Sequence, residues 1–221
     1  MKIIILDLET KPQEDLIEFF MQSKIEIAKV KYEKDIVKAK EYKKEETVKK
    51  YLAEAKKVFD DATDAKVFKK AMSVDTDYCD IICIGIKETG KEAKLLSLQE
   101  FSEYIKTLDP LDNYKYVTFN GKSFDFPVLI KAGIKQKVDL PYRKFKEMCR
   151  KFHSVNHYDL MEIIGDGRDW KSLDTYLRIY LGRAKKEINF ETASEKEIRE
   201  HCLEDLNSTE DVYNKFKEIC L

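Results

Sequence analysis

Ile3-Ile4-Ile5-Leu6-Asp7-Leu8-Glu9-Thr10 decides the reading of this chain, an apolar run that ends in two acids spaced by one residue. Side chains alternate along a strand, so Asp7 and Glu9 share one face. Two carboxylates projecting together from a strand of buried character are costly unless a cation sits between them. The functional reading is a divalent metal site. The plain reading is a solvated strand end, or acids paired with Lys. The two-residue spacing is common by chance, so the other acids of the chain must supply the rest.

Outward from that strand, residues 2–8 are expected to be extended. Residues 14–71 then read as helix almost throughout, with neither Gly nor Pro between Glu18 and Lys70. The apolar stripe of this stretch is sparse and no heptad is strict for long. Two helices folded back as a hairpin arm would bury it, and Asp60-Asp61-Ala62-Thr63-Asp64 marks a turn or a helix start. The pattern changes at Ser73. Asp80–Ile86 is nearly continuous in apolar residues, as in a strand covered on both faces. Further strands are expected at 95–98, 116–119 and 155–160. Helices are expected at 98–108, 124–132 with Gly133 as the stop, 141–152, and 173–181 stopping at Gly182. One or two more should follow over 194–220. Strands first and interleaved helices afterwards give an α/β domain, with the charged helical stretch inserted between the first two strands. The whole chain, 1–221, reads as one domain containing that insertion at about 14–71.

Composition narrows the classes. Lys plus Arg number 41 against 42 Asp plus Glu, a formal charge of -1, which excludes a simple polycationic binder but not a local phosphate-binding patch. Apolar runs are too short to cross a membrane or to form a signal peptide. The five cysteines form no CxxC pair, so a reduced, intracellular (cytoplasmic) protein is expected. The three histidines show no zinc spacing with them.

Asp125 follows Phe119-Asn120-Gly121-Lys122-Ser123-Phe124, a strand running into a turn and then a helix. It either caps that helix or stands at the rim of the sheet where open α/β sheets place their chemistry. Asn120 either contacts substrate or fixes the turn. His201 and Asp205 are four apart on a helix and share a face, with Thr209 continuing it. They form a surface pair, or else Asp205 holds a metal with the imidazole near an attacking water. Asp159, two residues after His157, supports the site from behind or caps a helix. Trp170 reads as core more readily than as a base-stacking platform.

In this order and in these settings, the four acids resemble the DEDD (DnaQ-like) exonuclease superfamily, nearest to the 3'-5' exonuclease domains related to those of family B DNA polymerases. Asp7-Leu8-Glu9-Thr10 resembles the first motif, Asn120 to Asp125 the second, and His201 to Tyr213 the third. The resemblance spans about 1–12 and 71–215 and leaves the insertion outside. It implies a ribonuclease H-like fold, a mixed central sheet flanked by helices. It also implies two divalent ions, Mg2+ or Mn2+, held by Asp7, Glu9, Asp125 and Asp205, and hydrolysis from the 3' end of single-stranded or frayed DNA. His201 would act as general base, although it stands at the spacing of the branch that carries tyrosine. Thr10, Asn120, Phe124 and Asp159 are the expected substrate contacts. The alternatives are an RNA-processing exonuclease, a catalytically weak nucleic-acid binder or scaffold, and a ribonuclease H-type endonuclease. The insertion carries Lys pairs at 43–44, 49–50, 56–57 and 69–70, and would clamp phosphate, bind a protein partner, or be a solvated arm.

Overall fold

The computed structural model describes residues 2–108, 113–165 and 169–220. Strands β1 (Lys2–Pro12), β2 (Cys79–Glu88), β3 (Lys94–Leu96), β4 (Tyr114–Thr118) and β5 (His157–Asp159) form one sheet in the order β3-β2-β1-β4-β5. β4 runs parallel to both β1 and β5, and β3 is antiparallel to β2. A mixed sheet with β1 at its centre is the ribonuclease H-like arrangement. The helices are α1 (Ile17–Ala39), α2 (Glu45–Ala62), α3 (Ala65–Ser73), α4 (Leu98–Lys106), α5 (Asp125–Gln136), α6 (Tyr142–Met148), α7 (Leu160–Ile164), α8 (Leu173–Leu181) and α9 (Glu195–Cys220).

The chain divides into two compact units, Met1–Thr10 with Ile81–Leu221, and Lys11–Asp80. In the first, strand alternation sends side chains to two covered faces. Ile5, Val117 and Tyr158 meet Leu177, Leu206 and Val212 from the last helices on one face. The Tyr116, Phe126 and Phe145 rings pack edge-on and fully buried, with Phe101 beside Phe145. The second unit holds a short 3-10 turn, α1, α2 and α3. Its core is the small cluster Phe20, Phe68 and Met72.

Several expectations shift. β1 runs four residues further than expected, through Pro12. The expected two-helix hairpin is three helices. α2 gives way to α3 at the acid cluster, where Thr63 Oγ1 donates to the carbonyls of Phe59 and Asp60 at 3.0 and 3.1 Å. Gly133 does not end α5. The helix continues to Gln136 and ends on Lys137, which takes the left-handed conformation (φ 57°). Gly133 instead permits a close approach, because a Cβ there would lie 2.8 Å from Leu140 Cδ1. The helix expected over 141–152 stops at Met148. α8 matches its expected bounds, with Ser172 Oγ accepting from Thr175 N–H at its start and Gly182 at φ 67° closing it. α9 is one continuous helix, opened by a capping box in which Ser194 and Glu197 bond each other's backbone N–H.

Candidate active site

β1 and β4 are parallel neighbours, so their C-terminal ends open on the same edge of the sheet. Asp7 and Glu9 leave β1 there on one face, as alternation requires. Beyond β4 the chain turns through Phe119 and Asn120 into α5, which begins at Asp125. Asn120 is left-handed (φ 72°), and a Cβ on Gly121 would fall 2.3 Å from Thr118 Oγ1, so the turn needs glycine at 121. The turn is held from behind. Asp159 accepts from Asn120 N–H and Lys122 N–H, both at 2.9 Å. Thr118 Oγ1 accepts from Gly121 N–H and contacts His157 Nε2 at 2.8 Å, while His157 Nδ1 meets Met148 O at 2.9 Å. Full burial lowers the His157 pKa to about 3, so the imidazole is neutral. A neutral ring suits this chain, with Nδ1–H donating to the carbonyl and Nε2 accepting from the hydroxyl.

From the other side comes α9. It lies close on β2 because residue 85 has no side chain. A Cβ on Gly85 would stand 2.8 Å from both Cys202 Sγ and Leu206 Cδ1. The buried face of α9 then turns His201 and Asp205 toward β1. His201 Nδ1 lies 3.0 Å from Glu9 Oε1 and 3.7 Å from Asp205 Oδ2. Cys202 Sγ reaches Asp7 Oδ2 at 3.5 Å.

Asp7, Glu9, Asp125, His201 and Asp205 therefore line one cavity of about 590 Å³, together with Asn120 and Phe124. Thr10 and Asp159 are not among its lining residues. Asp159 holds the turn instead, both its oxygens taken by backbone N–H groups. The acids oppose one another electrically. Burial, then Asp125, Asp205 and Glu9, push the Asp7 carboxyl well above the usual range. Burial, followed by Asp159 and Glu9, does the same to Asp125, offset in part by the N–H groups of Asp125 and Leu8. Burial raises Asp205, against the pull of Lys185 and His201. Like charges about 4 Å apart repel by roughly 4 kcal/mol at the effective dielectric of a protein margin.

Lys185, Lys186 and Phe190 complete the wall, and the sequence reading did not single them out. They lie on the segment between α8 and α9. Lys185 N–H donates to Asp174 Oδ1 at 2.7 Å, and its Nζ reaches Asp205 Oδ2 at 2.5 Å. Lys186 N–H donates to Glu204 Oε1 at 3.0 Å. Phe190 stands edge-on to the His201 ring at 5.3 Å. The available signal was a basic pair just after the Gly182 stop, which is weak in a chain with 41 Lys and Arg.

The donor set fits a divalent cation. Glu9, His201 and Asp205 each offer a ligand atom within 4.8 Å of the others. Asp205 Oδ1 is buried with no hydrogen-bond partner among the described residues. An orphaned carboxylate oxygen is expensive unless an ion completes it.

Comparison with known proteins adds family and fold. The model of a family described as "predicted 3'-5' exonuclease related to the exonuclease domain of PolB" matches residues 67–220, well over half of the chain. That match includes Asp125, His201 and Asp205 but begins after β1. The structure brings Asp7 and Glu9 to the same cavity. Among solved structures, the family B DNA polymerase from the hyperthermophilic archaeon Pyrobaculum calidifontis is similar in fold, with a TM-score of 0.55 and 12% identity. The likeness covers 98% of this chain and 24% of the polymerase, so the chain spans about a quarter of that protein. No curated protein matches the chain. No helix among the described residues is long and apolar enough to cross a membrane.

Proposed function

Since the chain belongs to the family of predicted 3'-5' exonucleases related to the exonuclease domain of PolB, we propose that it hydrolyses the terminal phosphodiester at the 3' end of single-stranded or frayed DNA. The observation that carries this reading is the convergence of Asp7, Glu9, Asp125 and Asp205 on one cavity that is also walled by Lys185 and Lys186. Repelling acids beside cations suit a centre that binds metal and phosphate together.

Asp7, Glu9, Asp125 and Asp205 would together hold the divalent ions, since all four carboxylates line the one cavity. Bound there, Mg2+ or Mn2+ would make water acidic enough to attack at neutral pH and would offset charge on the departing 3' oxygen. The chain itself does the rest. The turn held by Asp159, Thr118 and His157 keeps Asp125 at the sheet edge. Lys185 and Lys186 attract the phosphate. Phe119, Phe124 and Phe190 line the cavity, where aromatic rings would suit the base of an unpaired end. The cavity has the size of a small-molecule cleft, which fits a strand end better than a duplex.

The test uses 5'-labelled single-stranded DNA and RNA of one sequence, with a circular single strand beside them. A metal-dependent ladder shortening from the 3' end, lost in Asp205→Asn, supports the proposal, and the sugar that gives the faster ladder names the substrate. Cutting of the circle points to an endonuclease. No cleavage of any substrate with bound Mn2+ rejects the enzyme reading.

A further inference from the structure

We propose that His201 is itself a metal ligand, so that Glu9, His201 and Asp205 form a mixed oxygen and nitrogen site that prefers Mn2+ to Mg2+. The inference rests on the metal-dependent reading above and deepens it, because it gives the imidazole a different task from that of general base. A helical spacing of four places Nδ1 over the carboxylate one turn ahead. The ring nitrogen accordingly points into the acids, 3.0 Å from Glu9 Oε1 and 3.7 Å from Asp205 Oδ2. His201 is only 8% exposed, and Phe190 packs against its ring. The second, independent observation is Asp205 Oδ1, a buried oxygen of the same carboxylate left unpartnered. Ligation through Nδ1 uses the tautomer that carries its proton on Nε2. Lys185 Nζ already holds Asp205 Oδ2, which leaves Oδ1 for the ion.

An imidazole in the donor set changes the choice of ion. Mg2+ favours oxygen donors and gives up water reluctantly, whereas nitrogen donors favour the transition ions. His157 cannot supply the nitrogen, since Thr118 and Met148 occupy both of its ring atoms.

The full chain loaded with Mn2+ is examined by pulsed electron paramagnetic resonance. The expected result is coupling to nitrogen that changes on 15N-histidine labelling, disappears in His201→Gln and persists in His153→Gln. Calorimetry on the same proteins should show Mn2+ bound about tenfold more tightly than Mg2+, a preference that His201→Gln removes. An oxygen-only signal, or no bound Mn2+, overturns the proposal. The labelled wild-type protein decides the matter even if His201→Gln fails to fold. Nitrogen coupling without nuclease activity would uphold the ligand and refute the exonuclease. Activity with an oxygen-only signal would do the reverse.

Discussion

In residues 11–80 the buried apolar side chains among those described are Phe20, Ala39, Ala55, Phe68, Met72 and Cys79. Phe20, Ala55 and Phe68 border an apolar groove of about 350 Å³ that runs along α1, α2 and α3. Ile27, Val30, Val37, Val58 and Val67 stay exposed, and no acid of this unit is buried among the described residues. The sheet unit is built differently. Its rings and aliphatic chains close over both faces of the sheet, and it buries Glu9, Asp125, Asp159 and Asp205. The difference teaches where a functional site can stand. Carboxylates that repel by several kcal/mol stay together only where dense packing opposes their separation. A thin helical layer, held largely by helix propensity and a narrow stripe, offers no such restraint.

The largest expected effect tests that cost directly. Asp7→Asn should lower cleavage by about three orders of magnitude, equivalent to about 4 kcal/mol of lost transition-state stabilisation. It should also raise the thermal stability of chelator-treated protein, because it removes a charge pressed by three others. Unchanged cleavage would remove Asp7 from the site. Reduced stability would mean that the acids are not under strain.

Next comes a matched pair of core truncations. Phe126→Ala, at a ring fully buried among Tyr116, Phe145 and His157, should cost about 3–5 kcal/mol in denaturant unfolding. Phe20→Ala should cost about half as much, since the ring packs on Phe68 and Tyr78 but also borders the open groove. Equal costs would break the comparison between the two units. Of similar size is Gly85→Ala, which forces a methyl against Cys202 and Leu206 and should destabilise by about 1–3 kcal/mol. Binding of Mn2+ should weaken with it, read by calorimetry.

The smallest effect is a matter of pH. The raised carboxyls of Asp7, Asp125 and Asp205 favour the fold when protonated. That contribution is complete below about pH 3.9, the unfolded value, and is lost as pH rises through the raised folded values. His157 acts in the opposite sense. Its folded pKa of about 3 lies below the ordinary 6.5, so stability is lost as pH falls from 6.5 toward 3. That loss is common to chelated and metal-loaded protein and cancels in their difference. The gap in melting temperature between Mn2+ and chelator should therefore widen from about pH 5 to pH 8, by a few degrees. A constant gap would detach the acids from the ion.

Much of the sheet unit was legible because its signals are local. Alternation put Asp7 and Glu9 on one face, Gly182 closed α8, and a spacing of four joined His201 to Asp205. What stayed hidden depends on contacts between distant segments. Gly133 reads as a helix stop until Leu140 is seen against it. Asp159 reads as a support or a helix cap, and only the fold shows that Asn120 and Lys122 are the groups it holds. Lys185 is one lysine among many until Asp174 fixes its backbone near Asp205. The helix count of the insertion was uncertain for a related reason. Uniform Lys, Glu and Ala composition carries little punctuation, and the break at Thr63 rests on a side-chain hydroxyl rather than on Gly or Pro.

The bare α-carbon at position 85 also bears on transplantation. It sets how closely α9 can rest on β2, and so how far the His201 imidazole and the Asp205 carboxylate extend toward β1. Anyone moving these five side chains to another scaffold would have to copy that clearance as well. With a methyl's thickness added between helix and strand, the same residues would stand in the same order but too far apart to converge on one point.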